Sequence, residues 1–283
     1  MIRHVIVDFH THVFPPEVAV DRDLFLQDDA TFAALYGSEK ARLASADELL
    51  TSMDAAQIDV SVALGFAWKD IETCQRHNDY LLEASSRHPE RLLAFCILPL
   101  ASGPEAIVRE GERCRAAGAR GFGELRPQSV GVKLNESGLA EALVAAAAGL
   151  PLLFHVSEPV GHAYPGKSGL EMDSYYDFLV AHPEALSIGA HWAGGLPFYA
   201  LMPEVRLALA QSYVDTAGTS LLYDESIYGN TAANLGPERI LFGSDFPLLS
   251  QSRSRRRIEQ AALDKDVVSA ILGDNAARLL ALE

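Results

Sequence analysis

The chain has 283 residues, 49% of them hydrophobic, which is enough to fill one large core. Its net charge of −15 repels polyanions and argues against nucleic acid as a partner. No apolar run reaches the roughly 18 residues of a membrane span, and with no apolar targeting segment at the N-terminus the expected location is the cytoplasm.

Short apolar runs predict strands at Val5–Phe9, Val60–Gly65, Leu92–Pro99, Gly121–Leu125, Leu152–Val156, Leu186–His191, Ser212–Asp215 and Ile240–Gly243. Helical spacing predicts helices at Ile71–Ser86, Glu105–Ala117, Glu136–Ala148, Tyr175–Ala181, Tyr199–Ala210, Ser226–Asn234, Arg253–Ala262 and Val267–Leu282. Strands alternating with helices specify a parallel sheet with helical crossovers. An open doubly wound sheet would carry a glycine-rich phosphate loop after the first strand, and His10-Thr11-His12 stands there instead. The expected fold is α/β, a (β/α)₈ TIM barrel in a single domain, which needs roughly 250 residues. One connection is oversized, an insertion over about residues 14–56. It holds an acidic, aromatic stretch and then a helix to Ala56, with Ser45 as N-cap and Glu48 completing a capping box. That insertion is expected over the barrel mouth or against a second subunit there, so a homo-oligomer is allowed. Cys74, Cys96 and Cys114 form no C-x-x-C pair and are expected to be free thiols. Arg253, Arg255, Arg256 and Arg257 read as a solvated helix face.

Catalytic groups of a barrel come from the C-terminal ends of its strands. The first strand leads into His10 and His12, which two-residue spacing turns to the same side. His155, His191 and Asp245 each end a strand of their own, and Glu124 places a carboxylate at the fourth. Imidazole nitrogen with carboxylate oxygen suits Zn²⁺, and also Mn²⁺, Fe²⁺ or Co²⁺. His4, His77, His88 and His182 lie away from the mouth, the last two as helix-end signals before proline. His162, in the loop after strand five, is placed within reach of a substrate.

Asp8-x-His10-x-His12 with Val13-Phe14-Pro15-Pro16, Phe154-His155, Gly189-Ala190-His191-Trp192-Ala193-Gly194-Gly195, Leu241-Phe242-Gly243-Ser244-Asp245-Phe246-Pro247 and the ending Ile271–Leu280 resemble the amidohydrolase superfamily. The nearer branch is the amidohydrolase-related group that includes aminocarboxymuconate-semialdehyde decarboxylase. The resemblance covers nearly the whole chain and implies metal binding by His10, His12, His155 and Asp245, with Asp245 also handling a proton. It makes His191 either a catalytic acid–base or a ligand to a second ion. Glu124 departs from the decarboxylase pattern and looks like the bridging glutamate of binuclear members; its alternative is a salt bridge to Arg126 or Arg120. One or two ions, zinc first, are therefore expected.

The first expectation for function is a hydrolase that opens an amide, lactone or ester with a metal-activated water. The second is a metal-dependent non-oxidative decarboxylase or hydratase with His191 as the acid, and a third, of another class, is a non-catalytic metal-binding barrel. Arg126, His162, Trp68, Trp192 and Tyr164 are expected to line the pocket for a small molecule. Arg126 would favour a carboxylate through paired hydrogen bonds.

Overall fold

The apolar runs become the strands of one parallel sheet: β1 (Val7–His12), β2 (Val60–Leu64), β3 (Leu92–Cys96), β4 (Gly121–Leu125), β5 (Leu152–His155), β6 (Ser187–Ala190), β7 (Tyr213–Asp215) and β8 (Ile240–Leu241). The computed structural model describes residues 4–136, 138–167 and 169–282. Each strand pairs with the next in sequence, from Val7 opposite Val60 round to Val214 opposite Ile240. Beyond β8 the chain returns to β1: the Phe9 N–H donates to the Phe242 carbonyl at 2.7 Å, and the Asp245 N–H to the His10 carbonyl at 2.9 Å. The result is the (β/α)₈ barrel. Its strands are buried on both faces, which is why they read as continuous apolar runs rather than alternating ones. Val7, Phe9, Val62, Leu64, Phe95, Leu153, Ile188 and Leu241 fill the interior.

β1 begins later than expected and runs through His12, so both histidines lie within the strand. Its register against β2 shifts between Asp8 and Thr11. β8 is shorter than expected because the backbone leaves the ladder after Leu241 to reach β1.

The insertion contains more helix than the sequence suggests: α1 (Pro16–Val20), α2 (Arg22–Asp28), α3 (Ala30–Tyr36) and α4 (Ala46–Ala56). The first three lack a long apolar period. They are held by an aromatic cluster in which Phe14, Phe25, Phe32 and Tyr36 meet Phe66 and Trp68. Asp29 caps α3, accepting from the N–H groups of Thr31 and Phe32 at 2.9 Å. The capping box of α4 forms with Ser45 and Glu48 as expected.

On the outside lie α5 (Ile71–Arg87), α6 (Pro104–Ala116), α7 (Leu139–Ala147) and α8 (Met172–Ala181), among others. The helix expected over 136–148 is described from Leu139; Ser137 lies outside the described residues. His88 and His182 are the C-caps of α5 and α8. The expected last helix is broken into Lys265–Ser269, a π-helical turn Ala270–Asp274 and Asn275–Leu280. The π turn sets Gly273 directly on the Val5 carbonyl, where any Cβ would collide at 1.6 Å. Cys74, Cys96 and Cys114 are free and buried. Among the described residues no helix is long and apolar enough to cross a membrane.

Candidate functional site

The strand ends gather His10, His12, Glu124, His155, His191 and Asp245 at one mouth; all but His10, which is fully buried against His12, line a cavity of about 400 Å³. His10 and His12 face each other, Nε2 to Nε2, at 3.1 Å. His10 Nε2 lies 3.8 Å from both Glu124 Oε1 and Asp245 Oδ1. His12 Nε2 lies 3.8 Å from Asp245 Oδ1 and 3.9 Å from Glu124 Oε2. On the far side, Glu124 Oε1 is 2.8 Å from His155 Nδ1 and 3.2 Å from His191 Nε2. Glu124 thus belongs to two donor groups, one with His10 and His12 and one with His155 and His191.

The outer nitrogens decide what the inner ones can do. His12 Nδ1 donates to the Gly65 carbonyl at 3.0 Å, and His191 Nδ1 to the Ala217 carbonyl at 3.1 Å. His10 Nδ1 donates to the Asp215 carboxylate at 2.7 Å. Carbonyls and carboxylates only accept, so each Nδ1 carries its proton and each Nε2 of the neutral ring offers a lone pair inward. Three inward lone pairs and two carboxylates in a buried space require positive charge between them. Protons on the imidazoles can supply it. Burial opposes charge on His10, but the carboxylate of Asp215, then Glu124 and Asp245, outweigh it and push its pKa up to about 10. His191 is likewise raised to about 9, burial being overcome by Glu124. His12 is lowered by burial and by His10, and His155 falls to about 4 through burial and the Arg126 guanidinium. Glu124 is held well below the usual carboxylate range: burial works against its charge, and His155 and His191 prevail. A divalent cation fits the same place, with nitrogen and oxygen donors of the kind such ions take.

Arg126 is buried beside this cluster. Its NH1 lies 2.8 Å from His155 Nδ1 and 3.6 Å from Glu124 Oε2, while NH2 donates to the Gly166 carbonyl at 2.8 Å. It lines the cavity, as do His162 and Tyr164. Trp68 and Trp192 are not brought there. Trp68 is packed into the aromatic cluster and donates to His77 Nδ1 at 2.9 Å. Trp192 is fully buried in the outer core and donates to Thr219 Oγ1 at 2.9 Å. Both are large aromatic rings used for packing. His77 is closer to the site than expected, buried behind β1 with Nε2 on the Val13 carbonyl at 2.7 Å.

Sequence reasoning gave no role to several residues of this region. Asp215 and Asp8 form a layer behind the strand-end cluster. Asp8 accepts from the Ser244 N–H at 2.9 Å and from Gln251 Nε2 at 2.8 Å, and burial raises it to about 6. A carboxylate inside an apolar strand was the signal for both. Tyr36 and Arg42 line the cavity from the insertion, where no periodic pattern pointed to them.

No curated protein sequence matches the chain. Among solved structures it is similar to a 5-carboxyvanillate decarboxylase of Novosphingobium aromaticivorans DSM 12444 with bound manganese and 3-methoxy-4-hydroxy-5-nitrobenzoic acid. There the TM-score is 0.82 at 16% identity, over 99% of this chain and 97% of that one. A 2,6-dihydroxybenzoate decarboxylase from Rhizobium gives 0.75 at 20% identity, over 99% of both chains. A dihydroxybenzoic acid decarboxylase of Polaromonas sp. JS666, with manganese and 2-nitroresorcinol, gives 0.76 at 19%, over 99% and 98%. At these identities the likeness carries the fold. It also corrects the order of expectations: hydrolysis of an amide, lactone or ester stood first, yet the similar structures are lyases. The physical reason is that one donor set at a barrel mouth serves either chemistry, so the ligands alone could not rank them. Zinc in particular gains no support, since manganese is the ion in two of these relatives. The family model described as amidohydrolase matches residues 7–282, and the chain belongs to that family.

Proposed function

We propose that the protein is a metal-dependent decarboxylase of a small aromatic carboxylic acid. The observation that carries the metal dependence is the set of three imidazoles whose Nδ1 protons are committed outward while their Nε2 atoms converge with Glu124 and Asp245, and the likeness in fold to three decarboxylases supports the reaction. His10, His12, Glu124 and Asp245 would hold one divalent ion, manganese or zinc, with His155 as a further donor beside Glu124. A second ion next to His155 is disfavoured because the Arg126 guanidinium already places a positive charge 2.8 Å from that ring. When bound, the ion would hold substrate oxygens and draw off the negative charge left as CO₂ departs.

The chain's own groups supply the rest. Leu35, Phe66, Leu221 and Leu222 give the cavity apolar walls suited to a flat ring. Arg126 orients the carboxylate. Loss of CO₂ leaves an electron pair on the ring carbon, and a proton must replace the carboxyl group there. His191 is placed to deliver it from Nε2, since the Ala217 carbonyl fixes its other nitrogen. The similar structures act on, or are inhibited by, hydroxylated or nitrated benzenes, which supports this substrate class.

The test is a panel of mono- and dihydroxybenzoates given to manganese- and zinc-loaded protein, with released CO₂ and the decarboxylated phenol both measured. The proposal expects turnover of at least one acid, with equal yields of the two products. CO₂ release from none of them, by protein that holds its metal, would overturn it.

A further inference from the structure

Asp215 ends β7 fully buried, and its two oxygens serve different partners. Oδ2 accepts from His10 Nδ1 at 2.7 Å. Oδ1 accepts from the backbone N–H groups of His191 at 2.9 Å and Ala217 at 3.0 Å. The second pair matters because His191 opens a stretch of left-handed backbone, with φ of 55° at His191, 61° at Trp192 and 50° at Ala193. Such a stretch persists only where its surroundings hold it.

We infer that Asp215 is a positioning residue that sets which nitrogen of His10 bears the proton, and so leaves Nε2 free for a metal ion. The inference rests on the metal reading above. A neutral imidazole has two tautomers, and the partner of one nitrogen selects between them. A carboxylate accepts only, so Asp215 selects the Nδ1–H form. Asp215→Asn reverses the choice without removing the anchor. The amide oxygen stays on the His191 and Ala217 N–H groups, because turning the amide over would set its NH₂ against two donors. The NH₂ then faces His10 Nδ1, which must become the acceptor. The proton moves to Nε2, where it can donate to His12 Nε2 at 3.1 Å but cannot share a lone pair with an ion.

Affinity for Mn²⁺ and Zn²⁺ is measured by competition with a chromophoric chelator, and histidine tautomers by long-range ¹⁵N–¹H correlation. In zinc-loaded wild type, His10 should carry its proton on Nδ1. In Asp215→Asn the metal-free ring should carry it on Nε2, and metal affinity should fall roughly 10–100-fold, while the unfolding temperature stays close to that of the wild type. Equal affinity in the two proteins, or a His10 protonated on Nε2 in the zinc-loaded wild type, would overturn the inference alone. A wild type that binds neither ion would remove the metal reading and the inference with it. If Asp215→Asn proves unstable, the His10 Nδ1 proton of the zinc-loaded wild type still decides the matter: a strongly deshielded resonance reports its bond to the Asp215 carboxylate, and a resonance at an ordinary imidazole position would overturn the inference.

Discussion

Two polar clusters in this molecule, each built round a buried glutamate, differ in how their hydrogen bonds close. Behind β3, Glu110 of α6 accepts from Asn78 Nδ2 at 2.7 Å, from Gln75 Nε2 at 3.1 Å, and from Arg113 at 2.8 and 2.9 Å. Asn78 also pairs with both the N–H and the carbonyl of Ile97. Every strong group of that cluster is answered from within the protein. At the mouth, by contrast, three imidazole Nε2 atoms and two carboxylates turn toward one another, and the charge they need comes from outside, as protons or as a metal ion. A self-satisfied network needs nothing further, whereas acceptors facing acceptors leave room for a cation.

Mutations should separate the two clusters. The largest effect is expected from His10→Ala with His12→Ala, which removes two of the converging donors. Metal content should drop from about one equivalent to none by elemental analysis, and activity should fall to the uncatalysed background. His191→Asn comes next. Metal content should stay unchanged while kcat falls about 10²–10⁴-fold, the usual share of a general acid, measured by CO₂ release under saturating substrate.

Glu110→Gln probes the other cluster and should leave metal affinity untouched. It should cost about 2 kcal/mol of stability in denaturant unfolding, as expected for hydrogen bonds to a charged group. Its pH dependence follows from the lowered pKa of Glu110: burial opposes the charge, but Arg113, Asn78 and Gln75 hold it ionised. The unfolded chain takes up the proton first as the pH falls. The contribution is therefore present above the unfolded value of about 4.3 and is lost as pH drops through the lower folded value, so the gap between variant and wild type should close in acid. The smallest effect is that of Ser45→Ala. Removing the capping-box hydroxyl of α4 should cost about 1 kcal/mol and change neither metal binding nor turnover.

Much of this was legible in the sequence because barrel strands are covered on both faces and announce themselves as apolar runs. The six strand-end residues His10, His12, Glu124, His155, His191 and Asp245 stand out once the polar residues at the C-terminal end of each run are picked out. The layer behind them was harder to read. Asp215 looks like any strand-end carboxylate until its distance to His10 is known, and two residues 205 positions apart carry no local signal of contact. Tyr36 and Arg42 were hidden for another reason: α1, α2 and α3 are short and held by aromatic contacts rather than by an apolar period. The tryptophans misled because a large ring near a site motif reads equally well as pocket wall or as core. Trp68 and Trp192 are core.

Everything proposed for the mouth depends on the converging Nε2 atoms holding a divalent ion. Calorimetric titration of Mn²⁺ and Zn²⁺ into chelator-stripped protein, alongside the His10→Ala, His12→Ala double variant, measures this without reference to any substrate. Saturable binding at about one ion per chain is predicted in the wild type and none in the variant. Saturable binding of equal affinity in both proteins, or none in the wild type, would contradict it.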